Sequence, residues 1–150
     1  MISVIITNYN GKSILERCLE KTRSFLHQAG ITDIILADDH STDDSLDYVQ
    51  KTYPDIVIAQ NPQNLGFSTT CNTGAAKAKG DILLFLNNDM VVTSIDNDMI
   101  HRRFEDPSLF GCSPQIIRNH VDGHRINETP SYGFFKGGWL TSVNSEKMLQ

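Results

Sequence analysis

The sequence predicts an α/β fold in which a mainly parallel sheet is flanked by helices. Three short apolar runs, at residues 2–6, 34–37 and 82–86, each end in polar side chains, and amphipathic helical patterns separate them. Such alternation is typical of parallel strands joined by right-handed crossovers. Open parallel sheets bind ligands beyond the carboxyl ends of their strands, so the three polar ends together predict one nucleotide crevice.

The individual elements follow from local signals. Ser13 followed by Glu16 is typical of a capping box at the start of the first helix, and Gly30 ends that helix. Pro54 blocks continuation of the second helix. In chain order we expect a strand from Ile2, a helix from Ser13 to Gly30, a strand from Ile34, a helix over about 43–52, a strand over 56–59, a helix over about 67–78 and a strand over 81–86.

The periodicity weakens after Asp89. We expect one more helix over about 95–104 and a strand over 109–117. From Asn119 onward glycine, asparagine and proline interrupt the pattern. The aromatic, glycine-rich stretch 131–140 is either an acceptor-binding flap or a loop packed by its own aromatics, and the packed loop is the favoured interpretation.

Composition limits the function classes. A chain of 150 residues suits a single domain, and a net charge of −5 argues against a broad nucleic-acid-binding face. The first residues after Met1 form a short β-rich segment without the basic region of a signal peptide, so we expect no signal peptide and a cytoplasmic protein. The three cysteines are widely spaced and lack metal-ligand spacing, which indicates reduced, buried thiols.

The second strand ends in adjacent carboxylates, Asp38 and Asp39. An ordinary strand–cap–helix junction would explain the residues that follow, with Ser41 or Thr42 as the cap, but not these two. Adjacent carboxylates at a strand end repel each other and usually have partners. We therefore expect at least one of them to bind a ligand.

The other two strand ends also carry polar groups. Asn87, Asn88 and Asp89 end the strand over 81–86, and a carboxylate there suits a hard divalent cation, Mg²⁺ or Mn²⁺, which in turn suits a diphosphate. The alternative is an asparagine-rich turn. At the first strand end, Tyr9 offers a flat face for a nucleobase, and the alternative is an ordinary turn before a helix.

In this order and spacing, four segments resemble the motifs of a family 2 inverting glycosyltransferase of the GT-A fold, of the rhamnosyltransferase-like branch. Residues 4–10 resemble the opening strand, 38–43 the "DDGSTD" element and 64–74 the "NxGfaxaxNxG" segment. Residues 87–89 stand in place of the DxD-type metal motif. The resemblance implies a Rossmann-like sheet and covers about residues 2 to 90.

The resemblance also implies roles for individual residues in binding a UDP- or dTDP-sugar. Asp39 would accept the imide N–H of the base, and Asp89 would hold a Mg²⁺ or Mn²⁺ ion that bridges the diphosphate. Asn87 replaces a frequent aspartate, so the metal would depend mainly on Asp89 and the phosphates. The implied donor-binding residues are Thr7 and Tyr9 at the nucleobase, Asp38 and Asp39 at the second strand end, Gly66 and Asn72 near the ribose and sugar, Asn87 near the ribose, and Asn88 next to it in the chain.

In the family the general base is an acidic residue beyond the acceptor loop. The late carboxylates here, Asp122, Glu128 and Glu146, do not stand in a recognisable base context. We therefore expect a single domain over 1–150 that is truncated at its carboxyl end, with a donor-binding half over 1–90 and the start of an acceptor half over 91–150. Such a chain should bind donor but transfer sugar poorly, and apolar surface exposed by truncation should favour homo-oligomers.

The resemblance further implies a glycan or lipid-linked acceptor, cell-surface polysaccharide synthesis and a place at the inner face of the membrane. One alternative is a domain that binds nucleotide-sugar without turnover. Another is a nucleotidyltransferase, although residues 7–13 lack its glycine-rich, basic phosphate loop. A dinucleotide-binding oxidoreductase would need a G-x-G-x-x-G motif after the first strand, which the sequence lacks.

Overall fold

The computed structural model of the chain describes residues 1–119, 125–128, 131–136 and 139–144. These residues fall into two compact units, Met1–Asn97 and Asp98–Gln150. The first unit contains the parallel sheet and its helices, and the second contains short antiparallel strands.

The first unit confirms the predicted alternation of strands and helices. Its elements are β1 (Ile2–Asn8), α1 (Lys12–Gln28), β2 (Asp33–Asp38), α2 (Ser45–Thr52), β3 (Val57–Gln60), α3 (Phe67–Ala75) and β4 (Ile82–Asn87). Gly30 has a φ of 75° two residues after α1, which confirms its predicted role as the end of that helix.

All neighbouring strands of this sheet are parallel, in the order β3-β2-β1-β4. The chain builds outward from β1 to β3 and then returns to the other side of β1 to add β4. Thr7 on β1 therefore lies between Ala37 on β2 and Asn87 on β4. This return makes a topological switch point between β1 and β4, and the carboxyl ends of β2, β1 and β4 lie side by side.

The core lies around β1 and β2, in which every residue is buried. Both strands are covered on two faces, which explains why each is a nearly continuous apolar run. Helix α1 adds Leu15, Leu19 and Leu26, whose spacing puts them on one helix face.

Helix α3 packs closely on the sheet because it lacks a side chain at Gly74. A Cβ at this position would lie 2.5 Å from Cγ2 of Ile5 and 2.9 Å from Cβ of Ala37. The small residues of α3 therefore serve packing against β1 and β2, and this packing fixes the helix relative to the strand ends.

The predicted side-chain caps, by Ser13 for α1 and by Ser41 or Thr42 for α2, are wrong. Neither helix has a side-chain hydrogen bond from its N-cap residue. The first backbone N–H groups of α1 and α2 instead donate to the two carboxylate oxygens of Asp43, both at 3.0 Å. One carboxylate thus satisfies donors at two helix starts, which the local sequence pattern of either helix could not show.

The second unit is mainly antiparallel. Helix α4 (Asn97–Arg103) leads into it and confirms the predicted helix. The following strands are β5 (Leu109–Cys112), β6 (Ile116–Asn119), β7 (Arg125–Glu128), β8 (Ser131–Lys136) and β9 (Trp139–Asn144). They form one sheet of order β5-β8-β9 and a separate β6-β7 pair.

Two predictions for this unit are wrong. The strand expected over 109–117 is divided at Ser113–Gln115, and its halves, β5 and β6, belong to different sheets. The stretch 131–140, favoured as a packed loop, contributes β8 and the start of β9, which pair with each other. Pairing across the sheet overrides local propensity here, because strand formation depends on cross-strand neighbours that a glycine-rich sequence does not reveal.

We expect Gly74→Ala to lower the free energy of unfolding by about 1–3 kcal/mol, because the added methyl group overpacks the contact between α3 and the sheet. Urea unfolding measures the change. Gly111→Ala is the matched control, since a Cβ there meets no atom within 4 Å. Equal stability of the two variants would contradict the close approach of α3 to β1.

Candidate active site

The candidate site lies at the carboxyl ends of β2, β1 and β4, where sheet order brings the three polar strand ends together. Two loops complete this edge, one between β2 and α2 and one between β3 and α3. The predicted residues Thr7, Asp38, Asp39 and Asn88 take part in its hydrogen bonds.

Asp38 is fully buried, and three donors surround its carboxylate. The side-chain amide of Asn8 donates to Oδ1 at 2.9 Å. Ser41 donates its backbone N–H to Oδ2 at 2.8 Å and its hydroxyl to Oδ1 at 2.5 Å. These bonds tie the ends of β1 and β2 to the loop after β2, which makes Asp38 an organiser of the site rather than an open ligand-binding group.

Asp39 is 6% exposed and holds the β3–α3 loop. Its Oδ1 accepts from the side-chain amide of Asn61 at 2.9 Å and from the backbone N–H of Leu65 at 2.7 Å. Its Oδ2 accepts from the backbone N–H of Gly66 at 2.8 Å. Burial alone would raise the pKa of Asp39, but the hydrogen bonds from Leu65, Asn61 and Gly66 together hold that pKa below its ordinary value.

Asn61 connects three elements and was missed in the sequence analysis. Its Nδ2 also donates to the hydroxyl of Thr70 at 3.1 Å, and its Oδ1 accepts from the hydroxyl of Thr73 at 2.7 Å. Both threonines lie on α3, so Asn61 joins that helix to Asp39. An asparagine between a strand and a proline is an ordinary turn residue, so no local signal marks this role.

Two residues in the site loops have left-handed backbone conformations. Asn10 has a φ of 48°, and its Oδ1 accepts from the backbone N–H of Thr42 at 2.7 Å. His40 has a φ of 63°, at the position of the glycine in the "DDGSTD" element. The ring Nδ1 of His40 lies 3.3 Å from the carbonyl oxygen of Asn61, a contact that anchors the unusual conformation. Asparagine and histidine are both enriched among residues with positive φ, so each accepts this conformation more readily than most other residue types.

The ends of β1 and β4 are joined by a side-chain hydrogen bond. The amide of Asn88 donates to Oδ1 of Asn8 at 2.9 Å. Asn8 in turn donates to Asp38, so the bond extends a chain from β4 across β1 to β2. A Cβ at Gly11 would overlap both amides, so a larger residue there would have to displace this hydrogen-bonded pair. Thr7, the residue before Asn8 on β1, is buried.

Asp89 and Asn87 differ from the buried carboxylates. Both are exposed, and neither side chain forms a hydrogen bond or ion pair with the part of the chain that the structure describes. Within the same part, no three His, Cys, Asp or Glu side chains cluster as a metal centre. One free carboxylate beside amide oxygens fits a Mg²⁺ or Mn²⁺ ion that takes most of its oxygen ligands from a bound diphosphate.

The remaining predicted residues lie open to solvent. The Tyr9 side chain is 51% exposed at the end of β1. Gly66 precedes α3 with a φ of 83°, a conformation that glycine adopts without steric penalty. Asn72 is exposed on α3. A ligand could therefore reach Tyr9, Gly66 and Asn72 without moving the buried network.

Comparison with known proteins identifies the class of protein. The model of glycosyl transferase family 2 matches residues 3–142. The chain therefore belongs to that family. A mannosyltransferase from Pyrobaculum calidifontis, solved with GDP-Man and Mn²⁺, superimposes with a TM-score of 0.62 at 21% identity, over 79% of this chain and 36% of that one. The fold is that of the GT-A glycosyltransferases, which confirms the predicted fold class.

Two curated relatives are similar in sequence. A glycosyltransferase of Nostoc sp. is 36% identical over 124 residues, which are 81% of this chain and 36% of that protein. The UDP-Glc:α-D-GlcNAc-diphosphoundecaprenol β-1,3-glucosyltransferase of Escherichia coli is 31% identical over 120 residues, 78% of this chain and 47% of that protein. The chain thus spans less than half the length of either relative. In the described residues no helix is long and apolar enough to cross a membrane.

Acid should destabilise the protein through Asp39 and Asp43, whose pKa values lie below the ordinary 3.8. Stability from a depressed carboxyl pKa is fully present above the unfolded value of about 3.9 and is lost as the pH falls through the folded value. We expect urea unfolding to show a steep loss of stability below about pH 4.

Asp39→Asn should lower the free energy of unfolding at pH 7 by about 1–3 kcal/mol and should make this acid-induced loss less steep.

The control for that prediction is Asp47→Asn, which alters an exposed carboxylate on α2. It should leave the acid profile close to that of the unmodified chain. If Asp39→Asn retained the full loss of stability between pH 7 and pH 3, the hydrogen-bonded Asp39 carboxylate would not be its source.

Proposed function

We propose that this chain binds a UDP- or dTDP-sugar and, within its parent enzyme, transfers the sugar with inversion and with the help of a divalent metal ion. The observation that carries the proposal is the sheet order β3-β2-β1-β4, which sets the ends of β2, β1 and β4 side by side. Family membership supports the reaction class. The rhamnosyltransferase-like branch remains part of the proposal.

In this proposal the nucleobase of the donor lies between Tyr9 and Asp39, near Thr7. Tyr9 is half exposed and has a free face for stacking. Among the described residues, Oδ1 of Asp39 accepts hydrogen bonds from Asn61 and Leu65, and Oδ2 accepts one from the backbone N–H of Gly66. A carboxylate oxygen has two acceptor positions, so Oδ2 keeps one for the imide N–H of uracil or thymine.

The ribose and the sugar would lie across the exposed surface of Gly66, Asn72 and Asn87. Gly66 allows close approach of a ligand to the backbone, since nothing lies within 4 Å of where its Cβ would be. The two asparagines supply donors and acceptors that match sugar hydroxyls. Within the described residues, the side chains of Asn72 and Asn87 form no hydrogen bond that a ligand would have to break.

The diphosphate would lie at the turn after β4. Asp89 would hold the metal there, with Asn88 beside it. A bound Mg²⁺ or Mn²⁺ would neutralise the charge that develops on the leaving diphosphate. The chain itself supplies the exposed carboxylate of Asp89 and keeps Asn88 in place through its bond to Asn8.

Inversion also requires a base that takes the proton of the acceptor hydroxyl. Of the late carboxylates, Asp122 and Glu146 lie outside the described residues, and Glu128 is the last residue of β7. The base is therefore not assigned. We propose a glycan or lipid-linked acceptor, by analogy with the diphosphoundecaprenol acceptor of the Escherichia coli relative. A place at the inner face of the membrane is a separate part of the proposal, which rests on the family resemblance.

We expect the chain to bind UDP at least about tenfold more tightly than CDP, since one unsatisfied buried group costs about 1–3 kcal/mol. The two nucleotides share ribose and diphosphate, but N3 of uracil carries a hydrogen whereas N3 of cytosine carries a lone pair that would face Asp39. Titration calorimetry measures both affinities on the unmodified chain, which avoids disturbing the loop that Asp39 holds. GDP should also bind more weakly than UDP. Equal affinities for UDP and CDP would show that Asp39 does not recognise the nucleobase.

Asp89→Ala should abolish the gain in UDP affinity that Mn²⁺ provides, while the affinity without metal stays within about twofold. The reason is that Asp89 offers the free carboxylate of the turn. Calorimetry with and without Mn²⁺ separates the two quantities. Asp47→Ala is the matched control, because it removes the same charge from an exposed position on α2. An unchanged Mn²⁺ effect in the Asp89 variant would place the metal elsewhere.

A further inference from the structure

The segment that follows Asp89 has no regular secondary structure of its own. Residues 90–96 lie in neither a helix nor a strand. Their backbone N–H and C=O groups therefore need partners from elsewhere in the fold or from water. Helix α1 supplies several of these partners.

Thr22 makes the central contacts of α1 with this segment. Its side chain is 2% exposed. The hydroxyl donates to the backbone carbonyl oxygen of Met90 at 3.1 Å and accepts from the backbone N–H of Val92 at 3.3 Å. A hydroxyl can do both because it carries one donor and two acceptor positions. Thr22 thus binds two backbone groups just after Asp89, as a neighbouring strand would.

Two further contacts follow the same helix. The thiol of Cys18, one turn before Thr22, lies 3.8 Å from the carbonyl oxygen of Asp89. Near the end of the helix, the side-chain amide of Asn97 donates to the carbonyl oxygen of Ala29 at 3.4 Å. Positions 18 and 22 share a helix face, so one face of α1 runs along the segment from Asp89 onward.

The other flank of Asp89 is held independently. Asn88 donates its side-chain amide to Asn8, which is 3% exposed and bonded to Asp38. The residues on both sides of Asp89 are therefore fixed by buried polar groups, while the Asp89 carboxylate is exposed. Because its neighbours are fixed, the Asp89 carboxylate would not have to lose conformational freedom when a metal ion binds. Such a loss would otherwise weaken binding of the metal.

We propose that Thr22 is a positioning residue for Asp89: its hydroxyl fixes the backbone after β4 so that the carboxylate meets the metal–diphosphate in a set orientation. The inference rests on the proposed role of Asp89 as the metal ligand. Thr22 is buried in α1 and would not touch the nucleotide itself. Its effect should therefore be confined to the metal-dependent part of binding.

The test compares Thr22→Val with Thr22→Ser. Valine keeps the branched shape of threonine but loses the hydroxyl, whereas serine keeps the hydroxyl and loses a methyl group. UDP affinity is measured by calorimetry with and without Mn²⁺, and thermal unfolding verifies that each variant is folded. Asp89→Ala is measured beside them.

We expect Thr22→Val to lose about tenfold of the Mn²⁺-dependent gain in UDP affinity, through two backbone groups left without their partner. Its metal-free affinity should stay within about twofold, and Thr22→Ser should keep most of the gain. A full Mn²⁺ effect in Thr22→Val would overturn the inference, and so would an equal loss with and without metal, which a purely structural role would produce. If Asp89→Ala itself kept the Mn²⁺ effect, the proposed function would fail instead, whatever Thr22 does.

Discussion

The site is organised by the burial of two adjacent carboxylates at the end of β2. An ionised carboxylate removed from water is costly unless it receives hydrogen bonds, and Asp38 and Asp39 each receive three. The donors come from β1, from the loop after β2 and from the loop after β3. Satisfying this single constraint therefore brings together the strand ends and loops that surround the proposed donor pocket.

The two carboxylates have different consequences for ligand binding. The partners of Asp38 come from β1 and from the adjacent loop, so Asp38 holds the frame of the sheet edge. The partners of Asp39 come from the loop that carries Gly66, so Asp39 shapes a surface the ligand would touch. A substitution at Asp39 changes that loop and any base contact at once. Nucleotide analogues separate the two effects better than mutation does.

Asp89 reverses this arrangement. Its carboxylate is exposed, and the hydrogen bonds that fix the turn belong to its neighbours, Asn88 and Met90. An exposed carboxylate with fixed neighbours suits a metal ligand. A carboxylate that already accepts hydrogen bonds from the protein would have to lose them before it could bind a cation. The buried carboxylates thus stabilise the frame, and the exposed one remains available.

Local patterns in the sequence were sufficient for the elements of the first unit. Continuous apolar runs indicate buried parallel strands, and the polar residues after them mark the strand ends, so Asp38, Asp39 and Asp89 could be selected before the fold was seen. The second unit was harder, because its strands are short and β5 is completed by pairing with β8, which lies further along the chain. The same limit explains the wrong helix caps, since the carboxylate that serves both helix starts is Asp43.

The sequence by itself therefore determined the fold class, the strand ends and the residue types available for chemistry. Only the tertiary structure decided the order β3-β2-β1-β4, and with it which strand ends are neighbours. It also decided that Asp38 and Asp39 are buried while Asp89 is exposed, and it gave Asn8, Asn61 and Thr22 their hydrogen-bond partners. The physical reason is that periodicity reports the surroundings of a residue along one helix or strand. The hydrogen bonds that position this site join residues up to 80 positions apart.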